Sequence, residues 1–73
     1  MDMRRLVGMN VRRARLAMRL TQEDLAARTG RTQQYISGLE AGRRNPTIIV
    51  IYEFAVALGT TPALLVTPAE PVA

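Results

Sequence analysis

The chain has 73 residues, a formal net charge of +4, and neither cysteine nor histidine. This length fits a single domain, and the two missing residue types exclude disulfides and the common soft-metal ligands, so we expect no metal and no cofactor. No apolar run approaches the roughly 20 residues of a membrane span, and the N-terminus has no signal-peptide core. We therefore expect a cytoplasmic protein that does not bind membranes.

The basic residues of the chain are all arginine. Arginine makes planar, bidentate contacts with phosphate and guanine. A basic balance favours polyanionic partners, although by itself it does not choose between nucleic acid and an anionic membrane. The chain has no His, Cys or Lys, no Ser-centred nucleophile motif and no Gly-rich phosphate loop. We therefore expect a binding protein and not an enzyme.

Apolar spacing predicts an all-α domain of five helices without strands. The first helix runs from about Arg4 to Met18, and its buried stripe contains Val7, Val11, Ala14 and Met18. Each later helix opens at a threonine that can cap its first N–H groups: Thr21, Thr32, Thr47 and Thr61. Three of these helices end at a glycine: Gly30, Gly42 and Gly59.

The second and third helices carry the local signals of a helix-turn-helix. Asp24, three residues after Thr21, forms a variant of the capping box. Four apolar residues of these two helices are predicted to face the core: Leu25, Ala26, Ile36 and Leu39. The third helix opens with Gln33 and Gln34, whose amides can pair bidentately with adenine in the major groove. Two short helices that meet at Gly30 in this way indicate a protein that binds duplex DNA.

The fourth helix, predicted from Ile48 to Leu58, is apolar on two faces. Its core stripe follows helical spacing: Ile48, Ile51, Ala55 and Leu58. The other face contains Ile49, Val56 and Thr60. Three interpretations of this face are open: a dimer contact, burial under the C-terminal tail, or single exposed apolar residues, which are common. A helix that is apolar nearly all round suggests burial on a second side, so we favour the dimer contact.

The short fifth helix is predicted to run from Pro62 to Val66, with proline at a permitted first position. We assign residues 1–66 to the helix-turn-helix domain. Residues 67–73 contain two prolines and show no pattern, so we expect a flexible tail there.

From Val7 to Val66 the chain resembles the lambda-repressor-like helix-turn-helix family of phage and bacterial regulators. Four strings carry the resemblance: LTQEDLA at 20–26, the glycine at 30, YISGLEAGRRNP at 35–46 and AVALG at 55–59. Alanine is small where the two helices of the motif cross, and glycine makes the tight turn between them. The resemblance implies a compact five-helix bundle with a central helix-turn-helix.

The same resemblance implies a role for each residue around the third helix. Gln22 would touch a phosphate, and Gln33 and Gln34 would lie at the groove, with Gln34 most directly over base edges. Arg15 and Glu40 match a family pair that joins the first and third helices as a partly buried ion pair. The full set of expected DNA contacts is Gln22, Thr32, Gln33, Gln34, Tyr35, Ser37, Arg43, Arg44 and Asn45.

The chain departs from the family pattern at three positions. Arg19 stands where the family usually has glycine, and Arg31 replaces a frequent Val or Ile. Either arginine can add a phosphate contact. Gly38 removes a side chain that some relatives use for a base contact, so fewer specific contacts are expected. Tyr35 has two open interpretations: it lies against phosphate, or it covers the fourth helix.

The expected function is sequence-specific binding of double-stranded DNA by a transcriptional regulator. It would be a repressor or controller protein that acts as a homodimer on a palindromic operator. Ile49 and Val56 would form the dimer contact, with Leu64 or Leu65 nearby. No small-molecule effector is evident. Two alternatives stay open: a protein-interaction module such as an antitoxin-like partner, and a non-specific basic DNA-binding protein. The paired glutamines favour the regulator, because a non-specific DNA coat does not need them.

Overall fold

The chain folds as a bundle of five α-helices in the computed structural model, which describes residues 1–68. The helices are α1 (Met3–Ala17), α2 (Gln22–Thr29), α3 (Gln33–Glu40), α4 (Ile48–Ala57) and α5 (Pro62–Leu65). The described residues contain no strand, and the all-α prediction is confirmed. The predicted flexible tail falls mostly on residues 69–73, which lie outside the described part of the chain.

Side-chain caps explain where the helices begin. Each N-cap side chain accepts a hydrogen bond from a backbone N–H in the first turn of its helix: Asp2, Thr21, Thr32, Thr47 and Thr61. The capping box of α2 is complete, because the Asp24 N–H donates to the Thr21 hydroxyl (3.0 Å) and the Thr21 N–H donates to the Asp24 carboxylate (2.9 Å). The bond from the Thr21 N–H lowers the pKa of Asp24. These contacts are local, so the start of α2 does not depend on the core.

Left-handed backbone conformations end α1 and α2. Gly30, with φ 68°, follows α2 and turns the chain directly into α3. Arg19, with φ 58°, takes the same conformation after α1. This conformation costs a non-glycine residue roughly 1–2 kcal/mol. The family resemblance leads us to expect glycine at this position. Arginine here keeps the same backbone turn but takes a strained conformation in it.

All five helices, with the residue that caps α4, contribute to one hydrophobic core. Its buried members are Val7, Val11, Leu25, Ala26, Ile36, Leu39, Phe54, Ala55, Leu58 and Leu65. Phe54 is the largest fully buried side chain and was not in the predicted stripe of α4. Two predicted core residues are wrong: Ile48 is 78% exposed and Met18 is 40% exposed. The buried side of α4 begins after Ile48, at half-buried Val50 and Ile51, and α1 ends before Met18.

Two residues of α1 that have little or no apolar side chain are also buried. Gly8 lies against the C-terminal end of α3, where an added Cβ would meet the Leu39 carbonyl oxygen at 2.3 Å. The Asn10 amide donates to the carbonyl oxygens of Leu65 (2.9 Å) and Thr67 (3.0 Å). Asn10 therefore satisfies the open C-terminal carbonyl groups of α5 and holds that short helix against α1.

Candidate nucleic-acid interface

The helix-turn-helix of this chain consists of α2, the turn at Gly30, and α3. Ile36 and Leu39 are 0% and 1% exposed and fix α3 to the core. Ala26 of α2 is also buried, so the two helices can approach closely. Because one face of α3 is buried in this way, the opposite face of its first turn is exposed to solvent.

The predicted contact residues surround this outward face. Six of them are exposed: Thr32, Gln33, Gln34, Arg43, Arg44 and Asn45. Three are half-buried: Gln22, Tyr35 and Ser37. Within the described residues, the structure therefore brings together the N-terminus of α2, the whole of α3 and the loop after α3. Their roles towards DNA remain predictions.

Arg15 and Glu40 join α1 to the last turn of α3. The Arg15 Nε lies 2.6 Å from Glu40 Oε2, and Arg15 Nη2 lies 2.9 Å from Glu40 Oε1. The two side chains are 9% and 4% exposed, so the expected ion pair is present and is more deeply buried than predicted. The hydrogen bond to Glu40 raises the pKa of Arg15. Arg15 Nη1 also donates to the Leu20 carbonyl oxygen at 2.8 Å, which holds the link between α1 and α2.

Gln22 connects this ion pair to the start of α3. Its Nε2 donates to Glu40 Oε1 (3.2 Å), and its Oε1 accepts from Gln33 Nε2 (2.7 Å). The sequence predicted a phosphate contact for Gln22 but neither of these bonds. They depend on side-chain positions from two helices, for which the sequence contains no local signal.

Tyr35 is contacted by two arginines. The Arg31 and Arg44 guanidinium carbons lie 5.4 Å and 5.3 Å from the centre of its ring, within the range of a cation–π contact. The ring also lies 6.2 Å from that of Phe54 in α4. Of the two interpretations of Tyr35, cover of α4 therefore describes the structure. Glu53 pairs with Arg31 at 3.0 Å.

Gly38 makes room for the Arg44 side chain. A Cβ added at Gly38 would lie 3.2 Å from Arg44 Nε and 3.4 Å from its Cγ. Because Gly38 has no side chain, Arg44 can fold back over α3 and reach Tyr35.

Arg43 and Arg44 are not neutralised within residues 1–68. The ion pairs of this part of the chain use three other arginines: Arg4, Arg15 and Arg31. Glu40, which accepts from the Gln22 amide, has its charge matched by Arg15. The surface at the end of α3 is therefore positively charged, which favours phosphate.

The predicted dimer residues divide into two groups. Ile49, Val56 and Leu64 are 67%, 64% and 61% exposed. Leu65 is 2% exposed and belongs to the core, so of the two leucines expected near a dimer contact only Leu64 is exposed, and the contact itself stays a prediction. Leu64 and Leu65 differ in exposure because adjacent residues of a helix point in different directions.

No helix among the described residues is long and apolar enough to cross a membrane. The same residues contain no group of three or more acidic, His or Cys side chains that could hold a metal ion.

Two helices joined at a glycine turn, with amides at the exposed start of the second helix and arginines after its end, define a helix-turn-helix regulator. The model of the helix-turn-helix family HTH_3 matches residues 11–65. The chain belongs to this family of DNA-binding transcriptional regulators.

Three relatives illustrate the relationship. The chain is 57% identical to the HTH-type transcriptional regulator y4dJ of Sinorhizobium fredii over 70 residues, which are 96% of this chain and 91% of the relative. The hypothetical transcription factor NHTF from Neisseria superposes with a TM-score of 0.87 at 33% identity, over 92% of this chain and 77% of that one. The restriction-modification controller protein C.AhdI from Aeromonas hydrophila gives 0.80 at 35% identity, over 85% and 94%.

Proposed function

We propose that this chain regulates transcription by binding a specific inverted-repeat operator in duplex DNA as a homodimer. The observation that carries the proposal is the exposed pair Gln33 and Gln34 at the start of α3, followed after its end by Arg43 and Arg44, which form no ion pair within residues 1–68. The amides can read base edges, and the arginines can hold phosphates beside the end of α3. Occupancy of the operator would then block or recruit RNA polymerase.

Gln34 is the residue expected to read a base most directly. It is exposed, and it makes no side-chain hydrogen bond within residues 1–68. We expect Gln34→Ala to cost about 1–3 kcal/mol of binding free energy and to relax base choice at one or two operator positions. Selection from a pool of random duplexes, followed by binding assays with each base at every position, measures both effects. A pool that returns no enriched motif for the wild type would indicate a non-specific DNA-binding protein and contradict the proposal.

Arg44 is expected to contact phosphate and to contribute no base discrimination. Its guanidinium lies over Tyr35 and has no acidic partner among the described residues. We expect Arg44→Ala to weaken all sequences about equally and to lower the salt slope of binding by roughly one unit. Arg12→Ala, which removes the same charge from an exposed position of α1, is the matched control and should leave the slope unchanged. A changed base preference in Arg44→Ala would show that Arg44 reads bases instead.

The proposed dimer uses the outward face of α4. Ile49, Tyr52 and Val56 follow the spacing i, i+3, i+7 and are each more than half exposed, and Leu64 of α5 is exposed as well. An exposed apolar face of this kind is typical of an interaction site. A two-fold axis through it would place two copies of α3 about 34–36 Å apart, one turn of DNA. Small domains of this size also gain stability from an added interface.

Val56→Glu tests the dimer. A carboxylate at this position would be desolvated in the contact, so we expect sedimentation at tens of micromolar to shift from dimer to monomer. Leu16→Glu places the same charge at an exposed position of α1, where Leu16 is 52% exposed, and should leave the mass unchanged. If both variants have the mass of the wild type and bind DNA with the same cooperativity, α4 is not the interface.

A further inference from the structure

A continuous chain of hydrogen bonds runs from the interior to the proposed DNA-binding face. Arg15 donates to both oxygens of Glu40, at 2.6 Å and 2.9 Å. Gln22 Nε2 donates to Glu40 Oε1 at 3.2 Å, and Gln33 Nε2 donates to Gln22 Oε1 at 2.7 Å. Burial decreases along this series of hydrogen bonds: Arg15 is buried, Gln22 is half-buried and Gln33 is exposed.

The chemistry of Glu40 determines the direction of every bond in this chain. A carboxylate accepts hydrogen bonds and does not donate them. Gln22 must therefore turn its NH2 group towards Glu40, and its carbonyl oxygen then points outward. In this structure the donor to that oxygen is Gln33 Nε2, at 2.7 Å, so Gln33 turns its own NH2 group towards Gln22. The Glu40 carboxylate thus determines the orientation of the exposed Gln33 amide, with Gln22 as the link between them.

This orientation has a consequence for base recognition. One of the two N–H donors of Gln33 is used by Gln22, which leaves one N–H and the carbonyl oxygen to face outward. Adenine offers one acceptor, N7, and one donor, the N6 amino group, in the major groove. Guanine offers two acceptors there, N7 and O6. An amide with one free donor and one acceptor complements adenine, whereas guanine would place O6 against the Gln33 oxygen.

We propose that Glu40 is a specificity-determining positioning residue: acting through Gln22, it fixes the amide of Gln33 so that Gln33 selects adenine over guanine. The proposal rests on the proposed function in one respect, since Gln33 must lie against a base in the major groove. Glu40 itself lies on the inner side of α3, with its side chain 4% exposed, and reaches the DNA only through the two glutamines.

Two variants break the chain at different points. In Glu40→Gln the amide oxygen can keep the 2.6 Å contact with Arg15 Nε, which puts the NH2 group in the place of Oε1. Arg15 Nη2 then loses its acceptor, and Gln22 must reverse and present an N–H to Gln33. Gln33 then turns its oxygen inward and offers two donors outward, which suit guanine. Gln22→Met removes the link and leaves the Arg15–Glu40 pair in place. It separates a positioning effect from the stability lost when a buried pair is altered.

The experiment first locates the base that Gln33 reads, by comparing operator selections for the wild type and Gln33→Ala. The ratio of affinities for adenine and guanine at that position is then measured in each variant. We expect both Glu40→Gln and Gln22→Met to lower this ratio at least about fivefold, the lower end of the discrimination of one bidentate contact. The ratio at positions read by Gln34 should be unchanged. A uniform loss of affinity cancels in the ratio, so a purely structural role of Glu40 would leave it constant.

The possible failures are distinct. If Gln33→Ala changes no operator position, the proposed contact of Gln33 with DNA is wrong. If Gln33→Ala changes a position that is not adenine, or if the wild-type ratio persists in Gln22→Met, Gln33 binds DNA but Glu40 does not set its choice of base. Gln22→Met gives this answer even if Glu40→Gln fails to fold.

Discussion

Gly8→Ala is expected to destabilise the protein by about 2–3 kcal/mol, within the range for overpacked cores. The added Cβ would lie 2.3 Å from the Leu39 carbonyl oxygen and 2.9 Å from that of Glu40. Both obstacles are backbone atoms of α3, so no side-chain rotation relieves them. The intrinsic preference of alanine over glycine in a helix recovers only up to about 1 kcal/mol. Thermal unfolding measures the result, at roughly 4–8 °C per kcal/mol for a domain of this size.

Gly38→Ala is the matched control for this prediction. It makes the same change inside a helix, but the nearest atoms are Nε and Cγ of Arg44, at 3.2 Å and 3.4 Å, and that side chain can move. We expect Gly38→Ala to unfold at the wild-type temperature or above, because alanine favours the helix. If Gly8→Ala also unfolds at the wild-type temperature, α1 and α3 do not approach as closely as in this structure.

The helix starts could be predicted from the sequence because their causes are local. A threonine followed by a helix-forming segment is sufficient to place a cap, and all four predicted threonines cap a helix. The left-handed glycine after α2 is equally local. The buried face of α3 was also predicted correctly, since Ile36 and Leu39 are the apolar residues at helical spacing in that segment.

The errors concern residues whose surroundings come from distant parts of the chain. Nearly every residue of α4 is apolar, so periodicity does not identify which side is buried, and Phe54 was missed while Ile48 was wrongly placed inside. Asn10 is buried because the carbonyl groups of α5 need a donor, and these lie more than fifty positions away in sequence. A polar residue in a helix carries no sign of such a partner.

The residues proposed to contact DNA lie together on the surface, but their contacts with DNA stay a prediction, and their contacts with one another were not predicted. They were recognised by resemblance to the family, and the structure places them around one face. The hydrogen bonds from Gln33 to Gln22 and from Gln22 to Glu40 were not predicted. They connect a residue of the buried ion pair to an amide on the surface. The arginine pair around Tyr35 similarly depends on the space left by Gly38.

Arg15→Met is expected to have the largest effect on stability, a loss of about 3–5 kcal/mol of unfolding free energy. Methionine is long enough to fill part of the space, but it leaves the Glu40 carboxylate, whose side chain is 4% exposed, without its cation. The loss also includes the bond from Arg15 to the Leu20 carbonyl oxygen. A domain of this size has a total stability of the order of 5–15 kcal/mol, so the variant should be partly unfolded in mild denaturant. Urea unfolding followed by circular dichroism measures the change.

The double variant Arg15→Met with Glu40→Leu shows whether this loss arises from the stranded charge. Replacing a buried ion pair by apolar residues of similar volume is often neutral or stabilising. We therefore expect the double variant to recover most of the stability that Arg15→Met loses. It should nevertheless have impaired base selection, because leucine offers no acceptor to Gln22. Stability that stays as low as in Arg15→Met would mean that the arginine acts mainly through its packing and its bond to Leu20, and not by neutralising Glu40.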